Sequence, residues 1–231
     1  MRESDTEGRL VVVCGIDGSG KTYQSKKLAG RLKKQDVQAR YVEFPRYSEG
    51  FFGGLIARYL RGELGSEDGG ISPHLASLPF ACDRWEFSSR IRQWLEEGEI
   101  VICNRYVSAN MAHQGGRIES ESARREFYRW VEKMEYEVFG VPRPGVHLWL
   151  DIMPEHALML LEKKGHRDYL QDGTDIHENQ RHLLLAREAY AELARRASDW
   201  VRIQCSGENG PEPPERVADC IWEQIKYILE N

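Results

Sequence analysis

Residues Gly15–Thr22 read G-I-D-G-S-G-K-T, and this stretch decides the fold. It follows the apolar run Leu10, Val11, Val12, Val13, Cys14 and opens a helical pattern beginning near Lys21. A strand, a glycine-rich loop and a helix at the spacing G-x-x-x-x-G-K-[ST] cradle phosphate. Gly15, Gly18 and Gly20 let the backbone turn tightly and aim several N–H groups at one anion, with Ile16, Asp17 and Ser19 completing the loop. The helix N-terminus adds positive potential at the same point. Lys21 reaches the outer phosphates of a nucleoside triphosphate, and Thr22 offers a hydroxyl to magnesium.

Outward from the loop, short apolar runs alternate with longer amphipathic segments. Strands are predicted at Leu10–Cys14, Arg40–Phe44, Ile100–Cys103, Val146–Leu150 and Trp200–Cys205. Helices are predicted around Leu28 and Leu32, around Leu55 to Leu60, and from Leu75 to Leu95, where Pro79 should kink or split the helix. Others follow through Phe127, Val131, Met134 and Val138, from Leu183 to Ala197, and from Glu215 to Leu229. Alternation of this kind specifies an α/β fold of the P-loop NTPase type. Three layers are expected, with a five-stranded parallel sheet flanked by helices. No repeat or composition shift divides residues 1–231, so one domain is expected.

Ligands in such sheets bind beyond the carboxyl ends of the strands. After the second strand come Pro45, Arg46 and Tyr47; after the third, Asn104, Arg105 and Tyr106; after the fourth, Asp151. Right-handed crossovers bring these ends to one rim, which should place Arg46 and Arg105 near the phosphate loop. Guanidinium forks beside a triphosphate point to a second phosphorylated ligand, because arginine matches phosphate bidentately; a surface ion pair is the plainer alternative for each. The polar segment 162–175, E-K-K-G-H-R-D-Y-L-Q-D-G-T-D, reads as a mobile lid. Its Lys163, Lys164 and Arg167 would stabilise charge on a transferring phosphoryl group, unless the segment is only a solvated loop.

Other features narrow the class. A net charge of -5 gives no nucleic-acid footprint. No apolar run is long enough for a bilayer, and the charged stretch Met1–Arg9 lacks the apolar segment of a secretory signal. Five cysteines without C-x-x-C spacing read as buried small hydrophobes, which suits a reducing cytoplasm. His177 and His182 are five residues apart, about 140° around a helix, too far round to share one zinc ion. The histidines at 74, 147, 156 and 166 show no ligand spacing.

From Leu10 to about Leu229 the chain resembles the thymidylate kinases. Several separated motifs carry the resemblance: Asp17 in the loop, F-P-R-Y at Phe44–Tyr47, F-A-C-D-R at Phe80–Arg84, N-R-Y-V-S-A-N-M-A-H-Q at Asn104–Gln114, and D-I-H-E at Asp175–Glu178. The family implies transfer of a phosphoryl group from ATP, with Mg2+, to thymidine monophosphate. It implies that Phe80 stacks on the base and Arg84 bonds its carbonyl edge. Arg105 and Tyr47 would hold the acceptor phosphate, with Arg46, Phe44 and Pro45 beside them. Asn110, His113 and Gln114 would line the pyrimidine and sugar. Asp17 would lie beside the reacting phosphates and the metal, and Asp175 and Glu178 near the sugar, the acceptor phosphate or magnesium. A homodimer is also implied. The aspartate of the family's D-R-Y motif is Asn104 here, which keeps a hydrogen-bonding oxygen and loses the charge. Two alternatives stay open: a kinase for another pyrimidine nucleotide or nucleoside, with Glu43 as the base a nucleoside would require, and a nucleotide-binding sensor that does not turn over.

Overall fold

The computed structural model describes residues 9–64, 71–163 and 176–230. Strand β1 (Leu10–Cys14) leads through the glycine-rich loop into α1 (Lys21–Lys33). Then come β2 (Ala39–Glu43), α2 (Phe51–Leu60), α3 (Pro73–Glu96) and β3 (Ile100–Asn104). Next are α4 (Val107–Gly115), α5 (Glu121–Glu132) with a π-helical turn at Lys133–Val138, β4 (Val146–Asp151), α6 (Pro154–Lys163) and α7 (Ile176–Ala194). Strand β5 (Trp200–Gln204), a small hairpin of β6 (Ser206–Gly207) and β7 (Gly210–Pro211), and α8 (Pro214–Glu230) close the chain.

The main sheet has the order β2-β3-β1-β4-β5 and every pairing in it is parallel. Burial follows position. All residues of β1, β3 and β4 are buried, whereas the edge strands β2 and β5 expose part of their length. Helices cover both faces of the inner strands, so their sequences are continuous apolar runs rather than alternating ones. Each fully buried valine of β1 contributes about 1.5–3 kcal/mol. Strand ends match the expected positions to within a residue.

Three expectations are corrected. Helix α3 runs unbroken through Pro79, its start fixed by the Ser72 hydroxyl accepting from Leu75 N–H at 3.3 Å and by Pro73 in the first turn. The stripe Phe127, Val131, Met134, Val138 holds only through Met134. In the wider π turn Val138 emerges to solvent, 68 % exposed, while Glu135 is fully buried. Among the cysteines, Cys220 is exposed and Cys82 half-buried, so only Cys14, Cys103 and Cys205 are core residues.

Asp151, at the end of β4, is a tie within the fold. Its buried carboxylate accepts from Arg187 Nε of α7 at 2.7 Å and from Arg202 Nε of β5 at 2.7 Å. Asp151→Ala leaves two guanidinium groups without their shared acceptor. Because both arginines reach solvent, the expected loss is about 1–3 kcal/mol, measured as a lower urea midpoint with an unchanged slope.

Candidate active site

The parallel register sets the rim. Val13 of β1 lies opposite Asn104 of β3, and Asn104 lies opposite Glu43 of β2. The loop that leaves β1 therefore emerges beside the loops that leave β3 and β2. Within it, Gly18 has φ 83° and Gly20 φ 85°, the left-handed region that glycine enters without a Cβ clash. Gly18 also touches α6: a Cβ there would sit 2.4 Å from the carbonyl oxygen of Ala157. Lys21 is buried, and its Nζ donates to the Ile16 carbonyl at 2.6 Å. Ser19 is buried in the same turn and donates its N–H to Ile16 O at 3.2 Å.

Arg105 comes to this loop. Its N–H donates to Val13 O at 3.0 Å, and its Nη2 forms an ion pair with Asp17. Its backbone is left-handed, φ 64°, a conformation that costs a residue with a Cβ about 1–2 kcal/mol. Its Nη1 lies 2.9 Å from His113 Nε2. A guanidinium only donates, so Nε2 accepts and the ring proton of His113 sits on Nδ1, which faces His182 Nε2 at 3.3 Å. The two imidazoles stack, with centroids 5.5 Å apart. Burial, and then the Arg105 cation and His182, hold the His113 pKa well below 6.5, so the ring is neutral.

The other sequence-predicted residues divide into two groups. Phe44, Pro45, Arg46 and Tyr47 follow β2, with Phe44 buried against Tyr106. Arg46 pairs with Glu49 at 2.9 Å and lies 3.9 Å from the centre of the Phe87 ring, while its N–H donates to Asp83 at 3.0 Å. Phe80 meets Tyr59 edge-on. Arg84 has a protein partner besides the base its motif implies: its Nε and Nη2 fork onto Glu135 at 2.5 and 2.6 Å, with both side chains buried. Asn110 joins the same network, donating to Glu135 at 3.0 Å and to Ser77 O at 3.0 Å. Gln114 accepts from Arg117 at 3.2 Å. Glu162 and Lys163, which open the segment expected to form a lid, are the last residues of α6. Lys164, Arg167 and Asp175 lie outside the described residues, as does the side chain of Glu178.

Two further participants are His182 and Glu135. His182 precedes the buried Ala186, Ala189, Tyr190 and Leu193 at helical spacing, a pattern that marks an inward position. Glu135 sits beside Met134 in the turn whose π winding no periodicity reveals.

Thr22, Glu43 and Asn104 meet at the foot of the loop. Thr22 Oγ1 donates to Glu43 Oε1 at 3.1 Å, and Asn104 Nδ2 donates to Thr22 Oγ1 at 3.0 Å and to Glu43 Oε1 at 2.8 Å. Asn104 Oδ1 is buried without a partner among the described residues. Hydroxyl, carboxylate and amide oxygens suit a hard cation such as Mg2+. Among the described residues no three acidic, cysteine or histidine side chains form a cage, and Mg2+ ordinarily takes its remaining ligands from phosphates and water.

Two measurements probe this arrangement. Arg105→Ala and Arg105→Gly both remove the Asp17 ion pair, but only glycine relaxes the left-handed backbone. Arg105→Gly should be the more stable of the two by about 1 kcal/mol in urea unfolding. For His113, the unfolded ring takes up a proton near pH 6.5 and the folded ring does not, so stability falls as pH drops below that value. The slope is at most about 1.4 kcal/mol per pH unit, less for a part-exposed ring. His113→Gln should flatten the change in urea midpoint between about pH 7 and pH 5.

Comparison with known proteins agrees with these motifs. The sequence model of the family described as Thymidylate kinase matches residues 13–209. The thymidylate kinase of Plasmodium falciparum is 27% identical over 206 residues, 89% of this chain and 86% of its own. That of Mycobacterium tuberculosis is 30% identical over 192 residues, 83% and 87%. A probable thymidylate kinase of Pyrobaculum aerophilum is 30% identical over 221 residues, 95% and 97%. The solved structure of thymidylate kinase from Candida albicans shares the fold, with TM-score 0.72 and 21% identity over 96% of this chain and 92% of that one. A phosphate loop in contact with the arginine that follows β3, matched along most of its length by these relatives, belongs to a chain of the thymidylate kinase family.

Proposed function

We infer that the protein phosphorylates thymidine monophosphate to thymidine diphosphate with ATP as donor. The observation that supports a two-nucleotide site is the ion pair between Arg105 and Asp17, which sets a guanidinium beside the phosphate loop. ATP lies with its outer phosphates on the amides of Gly15 to Thr22 and on Lys21. Arg105, with Arg46 and Tyr47 on the neighbouring loop, holds the acceptor phosphate. Phosphoryl transfer between two phosphates asks the protein for alignment and neutralisation of charge, and an acceptor that is already anionic needs no general base. Arg105 exchanges Asp17 for phosphate oxygens, and its bonds to the acceptor are charge-assisted, about 1.5–3 kcal/mol each. Thr22 and Asp17 would hold Mg2+, which when bound would neutralise phosphate charge. Lys163 at the end of α6, with Lys164 and Arg167, supplies the further positive charge.

The Arg84–Glu135 pair gives Arg84 a role besides base contact. It locks α3, which carries Phe80, against α4 and the π turn, so the aromatic face is held rigidly. A homodimer is part of this reading, supported by the exposed apolar side chains of Phe51, Leu75 and Trp85. So is a cytoplasmic location, on the free thiols.

An ADP-release assay with thymidine, uridine and cytidine monophosphates, and with thymidine itself, tests the assignment. Thymidine monophosphate should give the highest kcat/KM. Preference for another acceptor, or ATP binding with no ADP formed from any of them, would overturn it. Lys21→Ala should leave the circular dichroism unchanged and lower kcat at least about 100-fold, as expected when a phosphate-stabilising charge is removed.

A further inference from the structure

Glu43 closes β2 one strand away from the position where the family resemblance puts a carboxylate. Among the described residues, every hydrogen bond it accepts comes from an uncharged donor: Thr22 Oγ1 at 3.1 Å, Asn104 Nδ2 at 2.8 Å and Tyr41 OH at 2.7 Å. Among the described residues no lysine or arginine forms an ion pair with it. Its charge is thus not consumed by the fold. Register explains how it reaches this place: Glu43 is the direct cross-strand neighbour of Asn104, so the two side chains share one end of the sheet. Asn104 is 2 % exposed, and its Oδ1 is buried with no partner among the described residues. Its amide is therefore fastened on one side, to Thr22 and Glu43, and still requires a donor on the other.

We propose that Glu43 is the carboxylate that orients Thr22 and sets the affinity of the phosphate loop for the nucleotide-bound divalent cation, in place of a charge at Asn104. The chemistry follows from the hydroxyl. Thr22 Oγ1 has one proton and two lone pairs, and it can face a cation with a lone pair only if its proton points elsewhere. Glu43 Oε1 accepts that proton, and Asn104 Nδ2 holds the same oxygen from a second direction. The remaining lone pair of Thr22 Oγ1 and the negative charge of Glu43 beside it suit a ligand that carries positive charge and donates hydrogen bonds: a divalent cation with its water shell. Glu43 is a positioning residue, acting through Thr22 and through water.

This rests on the nucleotide-binding role of the loop, and the test needs no acceptor, so it stands or falls separately from the choice of monophosphate. The probe is Mn2+ with ADP, followed by electron paramagnetic resonance of free Mn2+ as full-length protein is titrated. Glu43→Gln keeps the shape and removes the charge. It should weaken Mn2+ binding in the ADP complex at least tenfold while metal-free ADP affinity stays within twofold. Adding Asn104→Asp to Glu43→Gln returns a carboxylate across one register step and should restore most of that loss. Asn104→Asp alone should tighten Mn2+ binding. Wild-type Mn2+ affinity in Glu43→Gln would overturn the proposal, and so would failure of Asn104→Asp to rescue a variant whose metal-free ADP affinity is intact.

Discussion

Parallel pairing about β1 is the constraint on which the remainder depends. With β3 on one side and β4 on the other, every residue of β1 is buried and its backbone is bonded to both neighbours. Parallel strands end together. The carboxyl ends of β2, β3 and β1 therefore come to one rim, and each must turn there into a loop or helix. Backbone N–H groups of the first turn of α1 have no intrahelical acceptor, and the glycine-rich loop bends to put its own amides beside them. The anion site is a consequence of how the sheet ends.

Charge at that rim is arranged in two adjoining groups. In one, Arg105 balances Asp17 and leans on a neutral His113, itself stacked on His182. In the other, Thr22, Asn104, Glu43 and Tyr41 form a polar cluster whose only formal charge is one carboxylate. The left-handed backbone of Arg105 joins the two, since it turns the chain sharply after Asn104 and directs the next side chain at the loop. A second network, Arg84–Glu135–Asn110, lies in the helical layer and is held apart from solvent. A pair so deeply buried adds little net stability over a well-packed apolar one, but it fixes the relative placement of three elements.

Much of this was legible from the chain. The P-loop spacing, the apolar runs and the polar residue after each strand gave the sheet, its helical covering and the neighbourhood of Arg105. Edge strands were less distinct, because β2 and β5 are only half-buried and their periodicity is diluted by exposed residues. Pro79 was misleading: an unbroken α3 tolerates it, since burial along the helix outweighs the one backbone bond proline cannot make. The motif around Arg84 points to a base contact and carries no sign of Glu135, which lies 51 residues away in a π turn.

The sequence by itself determined the phosphate loop, the class of fold and the family, because those depend on local spacing and on periodic burial. Only the tertiary structure decided which carboxylate meets Thr22, which ring backs His113 and which acid neutralises Arg84. Those contacts are set by strand register and helix packing between residues far apart in the chain. No local pattern encodes a register between strands joined by long crossovers, so Glu43, in the sequence only a possible base for a nucleoside, is set against Thr22 and Asn104 by the pairing of β2 with β3.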